Sequence, residues 1–488
     1  MVRLISLSKR QIVIRTVDIA WLAVALLTSI FFLCVTTANN IHILMPLMAI
    51  FGIFALFIYM LQKREHGAIP FLELGVFYFF IVLTYSLYPI VTYLINGMQF
   101  PARSGLRLFQ AKPTPQNLSV IAWYYATYLA SFGAAYLLCR GRFNQRENTF
   151  QKPDKAFVIA IIAFYVFIKI FFIFIKLYYD LPQADSYTES YLVYQELPLL
   201  LRQVANHFRG IDLTLRLFIL ITLIQDYRKY RYIIFGWIAF EILMTLIYLG
   251  SRIHLVILLL SFVISYNYIV KPLKFRYFVI GAPCFLLLFL LLGLLRSDLH
   301  IFGSNLVFTL VSYNNEFVCL FENAYDLLQL KIAGATTDLS FRDVYFADVF
   351  RFIPQQLLPF EKIDFARWYV NTFYSAYAER GGGLAFGAIA ESIIGSGWID
   401  LIWRGGLLGI IFAKLHRHYV LSKKTFSLFA FYLWVTVMSY QSFRSTTFIL
   451  VSKFFYQFLL PTVCIKLTAT ILKSSTKTHF TRGRGGSQ

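Results

Sequence analysis

Charge is scarce in this chain: only 14% of its 488 residues are Asp, Glu, Lys or Arg, and 59% are hydrophobic. Soluble globular domains carry about 25% charged residues, so composition alone excludes that class. Cysteine is scarcer still. Cys34, Cys139, Cys284, Cys319 and Cys464 stand singly, without the paired spacing of a zinc site or a disulfide framework, and read as packing residues. No glycine-rich phosphate-binding loop is present, which disfavours an ATP-driven machine. Neither internal repeats nor low-complexity linkers interrupt the chain.

What abounds is apolar and aromatic, with 51 Phe and 32 Tyr. Apolar stretches of about 18 residues or more mark about twelve candidate transmembrane helices, so the expected fold is an all-α polytopic membrane protein in a single integral membrane domain, residues 1–488. The first six spans are Val17 to Val35, Ile43 to Leu61, Phe71 to Ile95, Leu118 to Leu138, Ala156 to Lys176 and the short Leu213 to Gln225. The later six are Ile233 to Leu249, Leu255 to Val270, Tyr277 to Leu295, Ile393 to Ala413, Phe426 to Tyr440 and Thr446 to Ile465. Arg3, Lys9, Arg10 and Arg15 precede the first span in the manner of a secretory signal. Its apolar run is longer than a usual signal core, so it is read as a retained span.

The net charge of +21 raises the question of a nucleic-acid partner. With the amino terminus in the cytoplasm and sides alternating, inner loops and tails hold about 26 Lys and Arg in roughly 90 residues, against about 14 in roughly 170 outside. Acidic residues show the opposite bias. The basic excess is therefore a topology signal that places both termini in the cytoplasm, and no nucleic acid is expected.

Three outer segments are substantial: about 96–117, a second loop at 177–212, and a long loop at 296–390. Within the last, "NEFVCLFENAYDLLQL" sets Phe317, Leu320, Phe321, Ala324, Leu327 and Leu328 along one helical stripe, with Glu316, Glu322, Asn323 and Asp326 largely away from it. Such a helix would lie on the membrane surface or pack over the bundle. "RDVYFADVFRFIPQQLLPFEK" follows, interleaving Arg342, Asp343, Asp348 and Arg351 with aromatics.

Several cations defy the positive-inside trend. Arg252 in "GSRIHL" lies at an outer span end, Arg444 in the short turn "QSFRST", Arg380 in "AERGGG", and Arg296 closes the ninth span; Arg202 and Arg209 sit in the second loop. Singly, each reads as a side chain snorkelling to headgroups. Gathered at one rim, such planar forks would hold a phosphate or diphosphate, and the membrane boundary suits a lipid that carries it. His254, two positions from Arg252, is a packed neutral histidine or, if Gly250 and Ser251 break the helix, a cavity residue. Glu391, among small residues in "GAIAESIIGSG", and Glu379, beside Arg380 and three glycines, are candidate bases. Arg404 follows Asp400 by four residues, the spacing of an intrahelical ion pair. Lys169, Arg216, Glu241 and Lys453 also fall within spans, too few for the buried acid chain of a proton-driven pump.

The stretch from about Gly250 to Lys453 resembles the oligosaccharide repeat-unit polymerases of bacterial envelopes, the O-antigen and enterobacterial common antigen polymerase family. Its matching features, in order, are "LGSRIHLVILLL", the long outer loop with "FRDVYFADVFRFIPQQLLP", "GGGLAFGAIAESIIGSGWIDLIWRGGLLGII", and the arginine in "SFRSTT". The first half is similar in topology only, and the polar "GSGWIDLIWR" departs from the mostly apolar span expected there. The first outer loop, around "TTANN", also lacks the acidic metal-binding pair of many lipid-dependent membrane glycosyltransferases.

The resemblance implies an inner-membrane enzyme working at the periplasmic face. It would transfer a growing glycan from undecaprenyl diphosphate onto a lipid-linked repeat unit, with membrane lipids, a chain-length regulator and a flippase as its surroundings. It further implies Arg252, Arg444 and Arg380 as diphosphate contacts, with Arg296 and Arg351 behind them, and Glu391, Glu379 or His254 as base, with no metal and no cofactor. Aromatics such as Tyr345, Phe346, Trp368 and Tyr369 would suit sugar stacking, although a chain with 18% aromatics places such rings everywhere. An O-antigen ligase-like transferase shares this donor and location. A flippase or exporter of lipid-linked glycans would instead line a path with charge through several spans.

Overall fold

The computed structural model describes residues 41–64, 71–95, 114–141, 150–179, 197–247, 252–271, 316–334, 338–353, 355–379 and 383–482, with residues 273, 277, 281 and 287 singly. Every regular element among them is helical. In chain order these are α1 Ile41–Arg64, α2 Leu74–Ile95, α3 Pro115–Arg140, α4 Lys155–Tyr178, α5 Leu199–Gln225 and α6 Tyr227–Ile247. Next comes α7 Arg252–Ser265, which runs on through a π-helical turn at Tyr266–Val270. The long loop contributes α8 Glu316–Ile332, α9 Phe341–Arg351, α10 Phe365–Phe373 and α11 Ser375–Glu379. Then follow α12 Ala388–Ile394, α13 Trp398–Leu421, α14 Phe426–Met438 and α15 Gln441–Arg444. The last rod is α16 Ile449–Lys453, a π turn at Phe454–Leu459, and α17 Leu460–Arg482.

Four stretches are long and apolar enough to cross a membrane, His42–Arg64, Leu74–Leu94, Lys155–Tyr178 and Ile449–Ser474, with the shorter apolar Leu255–Val270 beside them. The expected spans at 17–35 and most of 277–295 lie outside the described residues. The expected short sixth span forms the second part of a longer helix, since α5 begins fourteen residues earlier, at Leu199. The expected tenth span is broken. Gly397, at φ +64°, and Gly395 interrupt it between α12 and α13, because only glycine enters the left-handed region without strain.

α3 stands at the centre. It packs along α13 with the two chains running the same way, since Tyr124 meets Trp398 at one end and Phe132 meets Phe412 further along. Glycine makes the approach close. A Cβ on Gly405 would lie 2.9 Å from the Tyr128 carbonyl oxygen, and one on Gly409 would lie 2.6 Å from that of Phe132. The Ser131 hydroxyl donates to the Ile402 carbonyl across the same seam. Small residues four apart are the usual means of bringing two membrane helices into backbone contact. α1 also runs parallel to α3, with Ser119 donating to the His42 carbonyl at one end (2.7 Å) and Arg64 to that of Leu137 at the other. α2 is antiparallel to them, its first residues lying beside Tyr136 and Arg140.

The helices thus share two ends. One gathers Arg64, Glu73, Arg140, Lys152, Asp226, His416 and Lys473; the other gathers His42, Trp398, Arg444 and the helices of the long loop. α8 packs over the bundle at this second end: Phe317 meets Tyr85 of α2 at 4.7 Å and Phe321 stacks on Tyr125 of α3 at 5.6 Å. Its polar side is not left to solvent or headgroups. Glu322, Asn323 and Asp326 are buried, and the chain that follows supplies partners: Asp326 accepts from Tyr369 of α10 (3.2 Å) and from Tyr374 just past it (2.9 Å), and Asn323 donates to the Ala385 carbonyl ahead of α12.

Candidate functional site

Beneath the α8–α11 cap, where glycines separate α12 from α13, a charged cluster is buried. Arg404 of α13 is 1% exposed. Its Nη1 lies 2.6 Å from Glu391 Oε1, its Nε 3.7 Å from Asp400 Oδ2, and its Nη2 donates to the Val344 carbonyl at 3.2 Å. The other oxygen of Glu391 accepts from the backbone N–H of Thr447 at 2.9 Å and from its hydroxyl at 2.7 Å. Asp400 Oδ1 accepts from Tyr345 (3.1 Å) and from the Trp403 indole (3.0 Å), and the Tyr345 hydroxyl continues to Ser396 at 2.8 Å. Two carboxylates thus share one guanidinium, and three segments distant in sequence, at Val344, at 391–404 and at Thr447, meet on it.

Local sequence explains the arrangement. Gly387, at φ +96°, turns the chain into α12, so that Glu391 sits one turn in and points inward. The break at 395–397 then restarts the helix with Asp400 in its first turn, where the helix dipole favours a carboxylate. A side chain at Gly395 would displace the Asp400 carboxylate, since a Cβ there would lie 1.9 Å from Asp400 Oδ2. Lys331 of α8 donates to the Ile393 (2.8 Å) and Gly395 (3.0 Å) carbonyls, satisfying acceptors that the end of α12 leaves open.

Among the expected site residues, the structure brings Glu391 and the turn of Arg444 together. The Gly387 N–H donates to the Ser445 carbonyl at 3.0 Å, and Thr447, three residues past Arg444, is the partner of Glu391. Arg444 itself closes α15 and is half-buried. Arg351 belongs to the same end, in the last turn of α9, and pairs with Asp364 at 3.3 Å; α9 is held to the last rod by Phe352 stacking on Phe455 at 4.7 Å. Glu379 is exposed at the end of α11. Arg252 and His254 lie in the first turn of α7, but their side chains fall outside the described residues, as do Arg296 and Arg380 altogether. Of the loop aromatics, Tyr369 is a core residue, whereas Phe346 is 44% exposed.

Outside the membrane spans, Asp343 caps α9. Burial pushes its carboxyl up, but hydrogen bonds from Ser340, the Ser340 N–H and Arg342 outweigh that and hold it below the usual carboxylate range.

Two further charged clusters, the first buried and the second partly so, are not legible as clusters in the sequence. At the opposite end Glu73 accepts from Tyr136 and from Arg140 (Nη2 at 2.6 Å), with His416 Nε2 at 3.2 Å. Between α4, α5 and α6, Asp212 pairs with Lys169 (2.8 Å) and Arg216 (2.9 Å), and Arg216 with Glu241 (2.5 Å). Glu73 and Asp212 open their spans beside a loop in sequence, and only a three-dimensional contact reveals what they neutralise. Comparison with family models, with curated proteins and with solved structures gives no match to this chain.

Proposed function

We propose that the chain is an envelope polysaccharide polymerase of about twelve spans, with the α8–α11 cap on the periplasmic side of the inner membrane. In this reading it transfers a growing glycan from undecaprenyl diphosphate onto a lipid-linked repeat unit. The bond between the sugar C1 and the diphosphate oxygen breaks, the acceptor hydroxyl oxygen forms the new glycosidic bond, its proton passes to a base, and undecaprenyl diphosphate leaves. Arginines meet the leaving charge, which grows in the transition state and is where fixed cations lower the barrier most.

The observation that carries this reading is the double tie, Gly387 to Ser445 and Glu391 to Thr447, that seats the Arg444 turn against the head of the broken span and under the loop helices. One oxygen of Glu391 is taken up by that tie and the other by Arg404, which suits a residue that positions the Arg444 turn; Glu379, exposed on α11, is the better placed of the two carboxylates to take a proton. Arg252, Arg296, Arg351 and Arg380 complete the proposed cationic rim, and His254 remains a base candidate at the start of α7.

The test is reconstitution of the purified chain with undecaprenyl-diphosphate-linked repeat units. A ladder of glycan lengths, made without nucleotide or added divalent metal, is expected. Transfer to lipid A core alone would make it a ligase, and movement of intact units between leaflets alone would make it an exporter; either would overturn the polymerase reading.

A further inference from the structure

At the end of the bundle away from the Arg444 turn, α4, the 422–427 loop and α17 enclose a cleft of about 370 Å³. Its floor is apolar, made by the buried Phe157, Phe426 and Ala469. Its rim is cationic on balance, with Lys152, Lys466 and Lys473 against the one carboxylate of Asp154. Lys466, Thr470 and Lys473 follow one another at i, i+4 and i+7 and so share one face of α17, with Lys152 across from them on the approach to α4.

The ammonium groups are unequally matched. Lys152 pairs with Asp226 at 2.7 Å and Lys473 with Asp154 at 2.6 Å, whereas Lys466, two turns deeper along the helix and exposed, has no acidic partner among the described residues. Next to it the surface becomes apolar: Ile159 and Ile162 on α4 and Val463 and Leu467 on α17 are all exposed. An anion held at Lys466 therefore sits where charged rim gives way to lipid-facing surface. A free inorganic anion would gain nothing from those aliphatic side chains, while a phosphate carrying acyl chains satisfies both.

We propose that this cleft is a binding site for an anionic glycerophospholipid, its phosphate held by Lys466 with Lys473 and its acyl chains laid along the exposed faces of α4 and α17. The site stands independently of the reading of the Arg444 end, since it rests on other helices at the opposite side of the bundle. It also gives the basic excess of this end a local use beyond orientation, because a leaflet rich in anionic lipid attracts such clusters electrostatically.

Native mass spectrometry of the full chain in detergent, titrated with phosphatidylglycerol or with zwitterionic phosphatidylcholine, tests this. The wild type is expected to retain phosphatidylglycerol in preference to phosphatidylcholine, and Lys466→Ala to weaken retention about tenfold, the loss of one charge-assisted contact. Lys63→Ala, which removes an exposed lysine at the same end but outside the cleft, is expected to bind as the wild type does; unchanged melting of both variants excludes misfolding. Equal retention by the wild type and Lys466→Ala would overturn the proposal. So would displacement of the lipid by millimolar inorganic phosphate, which would make the cleft a free-anion site.

Discussion

Arg404 is the side chain on which the candidate site turns, and its surroundings set what substitution does. A guanidinium buried between Glu391 and Asp400 is not removed at the cost of one contact, because two carboxylates remain in an apolar interior. Losing one partner of a buried pair costs about 3–5 kcal/mol. Arg404→Met is therefore expected to lower the melting temperature steeply or to abolish folded protein in detergent, whereas Glu391→Gln, which keeps an acceptor for Thr447 and leaves Asp400 to Arg404, is expected to stay folded. Equal melting of Arg404→Met and wild type in a thermal-shift assay would contradict this. The Asp400–Arg404 pair was legible in the four-residue spacing. Glu391 stands out in the sequence as a carboxylate among small residues, but its partner does not, since the glycine break at 395–397 reorients α12 relative to α13 and no periodicity crosses it. Thr447 carries no signal in sequence at all: one threonine of a polar turn is indistinguishable from its neighbour until the fold aims it. The histidine at the far end was equally opaque. "KLHRH" reads as a basic loop, yet His416 is buried with Nδ1 2.9 Å from the Tyr432 hydroxyl, which itself accepts from the Leu74 N–H, and with Nε2 facing Glu73 at 3.2 Å.

Among elements, the α3–α13 seam is the most constrained. The nearest atoms to an added Cβ at Gly409 are two of the α3 backbone and the Cβ of Ala135, so no rotamer change relieves the clash and the helices must separate. Gly409→Leu is expected to destabilise the bundle by about 1–3 kcal/mol or more, read as a lower melting temperature, while Gly52→Ala, with open space around it, is expected to melt unchanged. α9 offers a milder case. Ser340 and Asp343 form a reciprocal capping box, so Ser340→Ala is expected to cost about 1 kcal/mol of local stability. Because the folded pKa of Asp343 is depressed, its contribution is fully present above the ordinary aspartate value of about 3.9 and fades as pH falls through its lower folded value. Amide protection factors across 341–351 should therefore drop in that acid window; protection unchanged down to pH 2 would contradict the assignment. Helix identity here was readable from periodicity, and α8 was correctly expected to be amphipathic. The burial of its polar face is not legible, because the sequence does not say that Tyr369, Tyr374 and Ala385 fold back onto it. The π turn at Phe454–Leu459 was likewise hidden; it goes with the Gln457 carbonyl accepting from Thr214 at 2.6 Å, a contact made between chain segments 243 residues apart.

At the scale of the whole molecule, helix directions and charge tell one story. α1, α3 and α13 run one way and α2 the other, and the lysine-rich end falls opposite the loop-helix end. Alternation of apolar runs made this polarity legible, since a helix that crosses must return; which arginines meet was not legible, because clustering is a property of packing. Cysteine labelling in a background free of native cysteines should find Glu379→Cys reactive to an impermeant thiol reagent from the periplasmic side and Lys423→Cys only after the membrane is opened. Reaction of both from the same side would refute the proposed orientation. The central claim, that the Arg444 turn serves transfer from a lipid diphosphate, is tested most directly by polymer formation in reconstituted Arg444→Ala. The account predicts no glycan ladder from protein that is folded and melts as the wild type does, with partial return in Arg444→Lys; a full-length ladder from Arg444→Ala would contradict it.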